Sequence, residues 1–217
     1  MHSPGALPGS CEAERVDNSS PRGDIRRDAI LDAARTVFME QGYSRFTMRK
    51  VATATGISLG NLNYHFPRKD DLLNALLERI FEAYIAEFDR RRHAAGESPG
   101  NQLIAVLEYW IDDLLSRDTT IFFPELWALS NHDPHVAAMT DRLYQGARAP
   151  LLALLPQINP ALSESEVERL ALLMCASMEG LTVFAGHEKP WSGELDILKR
   201  DLVASFMHMI RSTTATP

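Results

Sequence analysis

The sequence predicts an all-α protein of about nine helices. Apolar residues recur at three- and four-residue spacing almost throughout the chain from Ile25, and no alternating pattern of convincing length predicts a strand. Glycine, proline and small polar residues cluster between the periodic segments, as helix ends and turns require. A chain of 217 residues is long enough for one good-sized core or two small domains that share an interface.

Residues 1–23 are predicted to form a disordered tail, because they are rich in proline, glycine and serine and show no periodicity. This segment lacks the apolar core of a secretion signal, and no apolar run approaches the roughly 20 residues that a membrane span needs. Cys11 and Cys175 show neither a disulfide framework nor metal-ligand spacing. We therefore expect a cytoplasmic protein without membrane contact, metal or other cofactor.

A long helix and two short ones are predicted after the tail. The long helix stops at Gly42. Thr47 is suited to cap the first short helix and Gly56 to end it, while Ser58 caps the second and Pro67 closes it. The buried face of the long helix is formed by Ile30, Ala34, Val37 and Phe38.

Six further helices are predicted in the rest of the chain. The first begins near Lys69 and carries leucines and aromatic residues at helical spacing, and the stretch GESPGN (96–101) is expected to be a linker. Pro124, the pair Asp133-Pro134 and the stretches PQINPALSES and HEKPWSG are expected to separate the later helices. These lie at about 101–117, 121–131, 134–155, 163–186 and 193–212.

The charge is distributed unevenly along the chain. Its net value is −7, yet residues 22–69 hold nine basic and four acidic residues, a local balance of +5. Residues 70–217 hold 12 basic and 22 acidic residues, a balance of −10. A small basic segment on an acidic body is typical of a protein that presents one end to a polyanion, although chance variation in solvated charges explains it about equally well.

Residues 47–66, TMRKVATATGISLGNLNYHF, have the spacing of a helix-turn-helix. Ala52 lets two short helices approach closely, and Gly56 takes a backbone conformation that a side chain would penalise. Ile57, Leu62 and Phe66 are expected to bury the inner face of the second helix. Its outer face is small, amide-bearing or aromatic and fits the major groove, where asparagine can pair with adenine. It presents Leu59, Gly60, Asn61, Asn63 and Tyr64.

The run TMRKVATATGISLGNLNYHFPRKDDLL, with ILDAARTVFMEQGY before it, resembles the DNA-binding domain of the TetR family of bacterial transcriptional regulators over about residues 24–77. The resemblance implies a DNA-binding domain at 24–84 and a ligand-binding and dimerisation domain at 85–217. It implies contacts with the DNA backbone for Thr47, Tyr64, His65 and Lys69. The positions that would face base edges are Arg49, Leu59, Gly60, Asn61 and Asn63. The family most often has tyrosine where this chain has Asn63, and we predict that Asn63 reads a base, adenine. The full predicted DNA-binding set is Thr47, Arg49, Ser58, Leu59, Gly60, Asn61, Asn63, Tyr64, His65 and Lys69.

The resemblance also implies a small-molecule site among the C-terminal helices. Aromatic and sulfur-bearing residues recur there, most of them as ordinary core and some as pocket lining. Glu179 and Thr182 are the polar candidates on an apolar helix, although a surface or interface carboxylate explains Glu179 slightly better. The predicted effector-binding set is Trp110, Leu114, Phe123, Trp127, Met139, Leu143, Cys175, Met178, Glu179 and Thr182.

A homodimer is implied in the same way, so that two recognition helices meet a palindromic site. Small residues would allow close helix approach at its interface, together with the apolar face of the last helix. The predicted interface set is Ala176, Gly180, Leu202, Phe206 and Ile210.

The cluster NHDPH, with His132, Asp133 and His135, suggests a metal site, but Pro134 interrupts the spacing and a helix-capping turn explains it better. No nucleophile elbow, glycine-rich phosphate loop or zinc-protease pattern occurs, so no enzyme activity is predicted.

The leading hypothesis is a dimeric repressor that a small apolar or aromatic effector releases from a palindromic double-stranded operator. One alternative is a helical small-molecule-binding enzyme or carrier whose N-terminal domain serves as a scaffold. Another is a DNA-binding activator or architectural protein without a ligand.

Overall fold

The computed structural model describes residues 21–213, with side chains from residue 25 onwards. Within that range it holds nine α-helices, two short 3-10 turns at Tyr43–Arg45 and Ser192–Glu194, and no strand, so the predicted all-α fold is confirmed. The helices are α1 Pro21–Gln41, α2 Met48–Thr55, α3 Leu59–His65, α4 Lys69–Ala94, α5 Pro99–Asp113, α6 Arg117–Ser130, α7 Pro134–Ile158, α8 Glu164–Ala185 and α9 Leu195–Ser212.

The N-terminal boundary differs from the prediction. The predicted disordered tail lies outside the described residues as far as residue 20. Its last three residues already belong to α1, which begins at Pro21 rather than near Ile25. Proline suits this position because the first turn of a helix leaves its backbone N–H groups without helical partners.

Several later helix ends that were predicted from proline positions differ from those in the structure. The segment 96–101 is a shorter linker than expected, because Ser98 caps α5 and Pro99 is its first residue. Pro124 does not interrupt a helix but lies inside α6, and Pro156 lies inside α7. Such interior prolines cost a backbone hydrogen bond, which tertiary packing offsets in these helices.

The predicted ends of the short N-terminal helices are confirmed. The Thr47 hydroxyl accepts a hydrogen bond from Lys50 N at 3.4 Å, and the Ser58 hydroxyl accepts one from Asn61 N at 3.1 Å. Gly56 follows α2 in the left-handed conformation, with φ of 72°. These caps determine where α2 begins and ends and where α3 begins.

Two hydrophobic clusters stabilise the molecule. The first cluster contains residues of α1, α2, α3 and α4. It is completed by α6 and by the N-terminal part of α7, through residues such as Phe122 and Val136. The second joins α5, α8, α9 and the C-terminal part of α7, and it takes Phe88 from the end of α4. Because α4 and α7 contribute to both clusters, a shift of either helix in one cluster must be felt in the other.

None of the helices that the structure describes is both long enough and apolar enough to cross a membrane.

Candidate nucleic-acid interface and ligand cavity

The short helix α3 has one buried face and one outward face, as predicted. Leu62 is fully buried and Phe66, which caps the helix, is nearly so. The outer side chains are solvent-exposed, with 84% of the Tyr64 side chain accessible. Gly60, Asn61 and Asn63 lie on this exposed surface and His65 is half-buried beside Tyr64. The outward face is therefore made of amide, small and aromatic groups that can contact a groove.

Lys69 begins α4 directly after this surface. Its Nζ lies 3.9 Å from the centroid of the Tyr43 ring and 5.7 Å from that of Phe46, which is a cation–π arrangement. Burial lowers the pKa of Lys69 below its ordinary value, and Asp70 partly opposes this. The cation is thus held in one place at the positive end of α4, where an anion such as a phosphate is stabilised.

Other basic residues of the segment differ in how they are engaged. The Arg68 guanidinium is paired with Asp71, Nη2 to Oδ1 at 2.8 Å, whereas Arg49 is exposed on α2. Arg27, which the sequence analysis did not select, lies over the Phe66 ring with Cζ 4.4 Å from its centroid. The signal for Arg27 was its position one turn before the buried Ile30, which directs it to the edge of the first cluster.

A small cavity lies between α4, α5, α6, α7 and α8. Its open space is about 20 Å³, which is room for about one water molecule. Of the predicted effector-binding residues, Trp110, Leu114, Phe123, Leu143 and Glu179 line it. Lining residues that sequence reasoning missed are Tyr84, Phe88, Asp113, Thr119, Tyr144 and Ala147. The lining therefore combines five aromatic residues with two carboxylates.

One carboxylate of the cavity is fixed by a three-helix hydrogen-bond network. The Tyr84 hydroxyl of α4 donates to Asp113 Oδ2 of α5 at 2.8 Å and lies 2.8 Å from the Thr119 hydroxyl of α6. Thr119 also donates to Asp113. Burial, followed by the charge of Asp113, raises the pKa of Tyr84, so its phenol stays protonated as a donor.

The second carboxylate, Glu179 of α8, faces α5 and α7. Burial raises the pKa of Glu179 to about 7, and hydrogen bonds from Tyr144 and Trp110 partly oppose the rise. Trp127 Nε1 in turn donates to the Tyr144 hydroxyl at 2.7 Å. Glu179 is therefore a half-buried acid with only neutral donors as its named partners, and a cation in the cavity would stabilise its charged form.

The remaining predicted effector residues lie elsewhere. Met139 lines an open groove between α4 and α7, and Trp127 reaches the cavity indirectly, through its contacts with Tyr144 and Phe123. Cys175, Met178 and Thr182 are buried in the body of the protein and do not line the cavity. The Thr182 hydroxyl lacks a hydrogen-bond partner among the described residues.

The predicted dimer residues separate into two groups. Ala176 is exposed and Gly180 is half-exposed on α8. Phe206 and Ile210, predicted as interface residues, are buried in the second cluster of their own chain, and Leu202 packs against that cluster. The apolar surface actually exposed on α8 and just beyond it consists of Leu172, Leu173, Val183, Phe184 and Trp191.

The NHDPH cluster is a helix cap, as preferred from the sequence. Asp133 Oδ1 accepts hydrogen bonds from His135 N at 2.9 Å and Val136 N at 3.2 Å, which closes the first turn of α7. Residues 25–213 contain no grouping of three histidine, cysteine or carboxylate side chains that would hold a metal ion.

Comparison with known families gives two matches along the chain. Residues 30–76 match the family described as bacterial regulatory proteins, tetR family. Residues 99–205 match the family described as BetI-type transcriptional repressor, C-terminal. The first match covers α2 and α3 with the exposed recognition surface, and the second covers the helices that supply most of the cavity.

Relatives of known name agree with these matches. The HTH-type transcriptional regulator BetI of Burkholderia thailandensis is 31% identical over 156 residues, which is 70% of this chain and 78% of that protein. BetI of Stenotrophomonas maltophilia is 28% identical over 162 residues, which is 72% of this chain and 79% of that protein.

Solved structures share the fold. A TetR-family regulator from Mesorhizobium loti superposes with a TM-score of 0.72 at 15% identity, covering 88% of this chain and 98% of that one. A transcriptional regulator from Saccharomonospora viridis, solved in complex with choline, superposes with a TM-score of 0.71 at 19% identity, covering 89% of this chain and all of the other.

These relatives are regulators of transcription rather than enzymes, and the exposed helix-turn-helix is the part of the molecule that such an activity needs. The chain belongs to the TetR family of bacterial transcriptional regulators, with a C-terminal region of the BetI type.

Proposed function

We propose that this protein is a cytoplasmic, dimeric repressor that leaves its operator when a small organic cation with a quaternary ammonium group enters the cavity. The observation that carries the proposal is the cavity lining, in which five aromatic residues surround a space that also contains Asp113 and Glu179. Aromatic rings attract a cation through their π faces, and recognition of quaternary ammonium groups by several rings is a common use of this interaction.

The DNA side of the proposal uses the outward face of α3. Asn61 and Asn63 are exposed and free to reach base edges. Lys69, whose ammonium lies over the Tyr43 ring, binds a backbone phosphate. Arg27 adds a cation beside Phe66 at the end of the recognition helix. The other members of this proposed interface are Thr47, Arg49, Ser58, Leu59, Gly60, Tyr64 and His65.

The charge of the lining distinguishes a cationic effector from a neutral one. The sequence suggested an apolar or aromatic effector, but a neutral molecule would leave Asp113 and Glu179 with hydrogen bonds only and without a positive partner in the cavity. A cation instead pairs with Glu179 and Asp113 while its methyl groups pack on the rings. The choline bound in the Saccharomonospora viridis regulator has this chemistry and supports the choice of class.

The small size of the cavity links binding to regulation. About 20 Å³ of open space cannot hold a molecule of several heavy atoms, so the surrounding helices must move apart to admit one. Tyr84 and Phe88 of the lining belong to α4, whose first residue is Lys69. A ligand that favours the opened cavity therefore shifts the population towards a different position of the DNA-binding helices.

The dimer is proposed to form through the exposed face of α8. Leu173, Ala176, Gly180 and Val183 follow one another at three- and four-residue spacing, and with Phe184, four residues after Gly180, they form an apolar stripe. The small Ala176 and Gly180 allow close approach of a second α8. Exposed Ile197 of α9 extends the same kind of surface.

The decisive experiment compares choline with 3,3-dimethylbutan-1-ol, which has the same shape and no charge. Isothermal titration should detect choline binding, whereas the neutral alcohol should bind at least about tenfold more weakly because it gains no cation–π or carboxylate interaction. Equal affinity for the two compounds would refute the cationic class.

Regulation is tested on DNA from the region upstream of the protein's own gene. Gel shifts should show sequence-specific binding that weakens with salt and is reversed by choline, but not by the alcohol. Specific binding that choline leaves unchanged would refute the effector response and retain the DNA-binding function. Absence of specific binding at low salt would refute the repressor itself.

A further inference from the structure

We propose that Glu125 of α6 is the positioning residue that connects the effector cavity to Lys69 at the DNA surface. The connection runs from Glu125 to the backbone of Tyr43 and from the Tyr43 ring to the Lys69 ammonium. This inference rests on the proposed effector-responsive function, and it names the side chain through which the response would reach a DNA contact.

Glu125 makes a contact between parts of the chain that lie far apart in sequence. Its Oε2 accepts a hydrogen bond from Tyr43 N at 3.3 Å, across 82 residues. Tyr43 begins the 3-10 turn that joins α1 to α2, so the carboxylate holds the connection on which the helix-turn-helix depends. A hydrogen bond to a charged acceptor is among the stronger kinds available to a backbone N–H group.

The preceding glycine makes this approach possible. Gly42 has φ of 71°, a left-handed conformation, and a Cβ placed on it would lie 3.1 Å from Glu125 Oε1. A side chain here would therefore be strained and would also press on the carboxylate. The turn is thus shaped to receive Glu125 at close range.

The 3-10 turn also positions Lys69, through the ring of Tyr43. The Tyr43 ring centroid lies 3.9 Å from Lys69 Nζ, so the position of the ring sets the position of the ammonium. Cation–π attraction falls off once the cation leaves the ring face, at centroid distances of about 6 Å or more. A displacement of the turn by an ångström or two is therefore enough to change where Lys69 points.

Glu125 also lies in the part of α6 that borders the cavity. Phe123 lines the cavity two residues earlier, and Trp127 donates to the cavity residue Tyr144 two residues later. Because α6 is a continuous helix from Arg117 to Ser130, it transmits a shift at Phe123 to Glu125. No intermediate side chain is needed between the cavity wall and the turn.

A second contact between α1 and α6 provides a matched control. Arg35 Nη2 pairs with Asp118 Oδ2 at 2.7 Å, and both side chains are about half exposed. Replacing Asp118 removes the same negative charge from α6 as replacing Glu125. Neither Asp118 nor Arg35 touches Tyr43 or Lys69 in the contacts described above. Any general effect of lost negative charge on DNA affinity should appear with Asp118→Ala as well as with Glu125→Ala.

The test is a double-mutant cycle on DNA affinity without effector, with a duplex from the region upstream of the protein's own gene. Glu125→Ala should weaken specific binding by about three- to tenfold, which corresponds to the loss of one hydrogen bond. In a Lys69→Ala background the same replacement should change affinity less than about twofold, because its route of action is gone. Glu125→Gln keeps an acceptor oxygen and should retain most of the affinity.

Tyr43→Leu supplies a second variant if Glu125→Ala does not fold, as judged by circular dichroism. It keeps an apolar side chain, leaves the Tyr43 N–H in place, and should also be non-additive with Lys69→Ala. Asp118→Ala should have the same effect in both backgrounds. If the wild-type protein binds specifically but the effects of Glu125→Ala and Lys69→Ala are additive, the relay alone is overturned. If the wild-type protein shows no specific binding, the proposed function is overturned as well.

Discussion

Phe122 and Phe123 are neighbours on α6, with ring centroids 5.4 Å apart at 82° to each other, and both belong to the first cluster, but of the two Phe123 alone also lines the cavity. Phe122 packs against Phe38 of α1 at 5.7 Å, inside the cluster that supports the helix-turn-helix. Phe123 packs against Tyr84 at 5.6 Å and lines the cavity. One helix thus places a residue that supports the helix-turn-helix beside a residue that lines the cavity.

Replacement of each phenylalanine by leucine should separate the two roles. Phe123→Leu keeps apolar bulk but removes a ring from the cavity, so choline affinity should fall by about five- to thirtyfold, as expected for about 1–2 kcal/mol of cation–π attraction. Phe122→Leu should leave choline affinity within about twofold and lower the melting temperature instead. Titration calorimetry and thermal unfolding of both variants check this, and equal effects on choline binding would contradict it.

Asn63 and Lys69 should affect DNA binding in different ways. Asn63→Ala should cost about 1–3 kcal/mol against the preferred operator and lose discrimination at one base pair, because an amide can read a base edge. Lys69→Ala should weaken all duplexes similarly and reduce the salt slope by about one phosphate contact. Fluorescence anisotropy with single-base operator variants at several salt concentrations measures both quantities. A uniform loss for Asn63→Ala would show that it does not read a base.

Choline binding should depend on pH through Glu179. The pKa of Glu179 in the effector-free protein is about 7, so below that pH a cation must displace a proton to reach the carboxylate. The affinity should therefore rise with pH, by up to about tenfold per unit below pH 7, and level off above it. Glu179→Gln should bind choline weakly and with a flat pH profile. A wild-type profile that is already flat between pH 5 and pH 8 would exclude this role.

The same carboxylate should influence stability in the opposite direction. An unfolded glutamate ionises near 4.5, whereas the folded protein holds Glu179 protonated up to about 7. The stability that this protonated form contributes is complete below pH 4.5 and is lost as the pH rises to about 7. Glu179→Gln should consequently gain stability relative to the wild type across that window, measured by urea unfolding without effector. A constant difference between the two proteins at all pH values would contradict the sign.

The proposed dimer depends on the exposed stripe of α8. Phe184 is 62% exposed in the single chain, and Phe184→Asp should place an unpaired charge at the centre of the interface and yield monomers. Leu59→Glu adds a charge to another exposed apolar side chain, on the recognition helix, and should leave the dimer intact. Analytical ultracentrifugation at micromolar concentration distinguishes the two results, and a wild-type protein that sediments as a monomer would refute the interface.

The N-terminal half of the molecule was predictable because its signals are local. Thr47, Gly56 and Ser58 act within a few residues of their own positions, as caps and as a turn, so the sequence determines the two short helices directly. The same holds for Asp133, whose carboxylate caps the helix that begins at the next residue. Helix ends at proline were less predictable, since Pro124 and Pro156 are accommodated inside helices by the packing around them.

The cavity was only half predictable because its lining converges from five helices. Trp110 and Phe123 could be chosen by residue type, but nothing in the sequence relates Tyr144 or Tyr84 to Glu179. Periodicity also shows that one face of a helix is apolar without showing what covers it. Phe206 and Ile210 therefore looked available to a second copy although they fill the core of their own chain.

Under the proposed function, the small volume of the cavity has a consequence for the effector concentration at which the protein would respond. The apparent dissociation constant for the effector equals the intrinsic constant divided by the fraction of molecules whose cavity is already open. The effector concentration needed for half-maximal binding therefore depends on the free energy of opening as well as on contacts with the effector. A substitution that makes opening about 1.4 kcal/mol easier would lower that threshold about tenfold without touching the ligand. Sensitivity can therefore be tuned from positions far from the cavity, with the aromatic and acidic lining left unchanged.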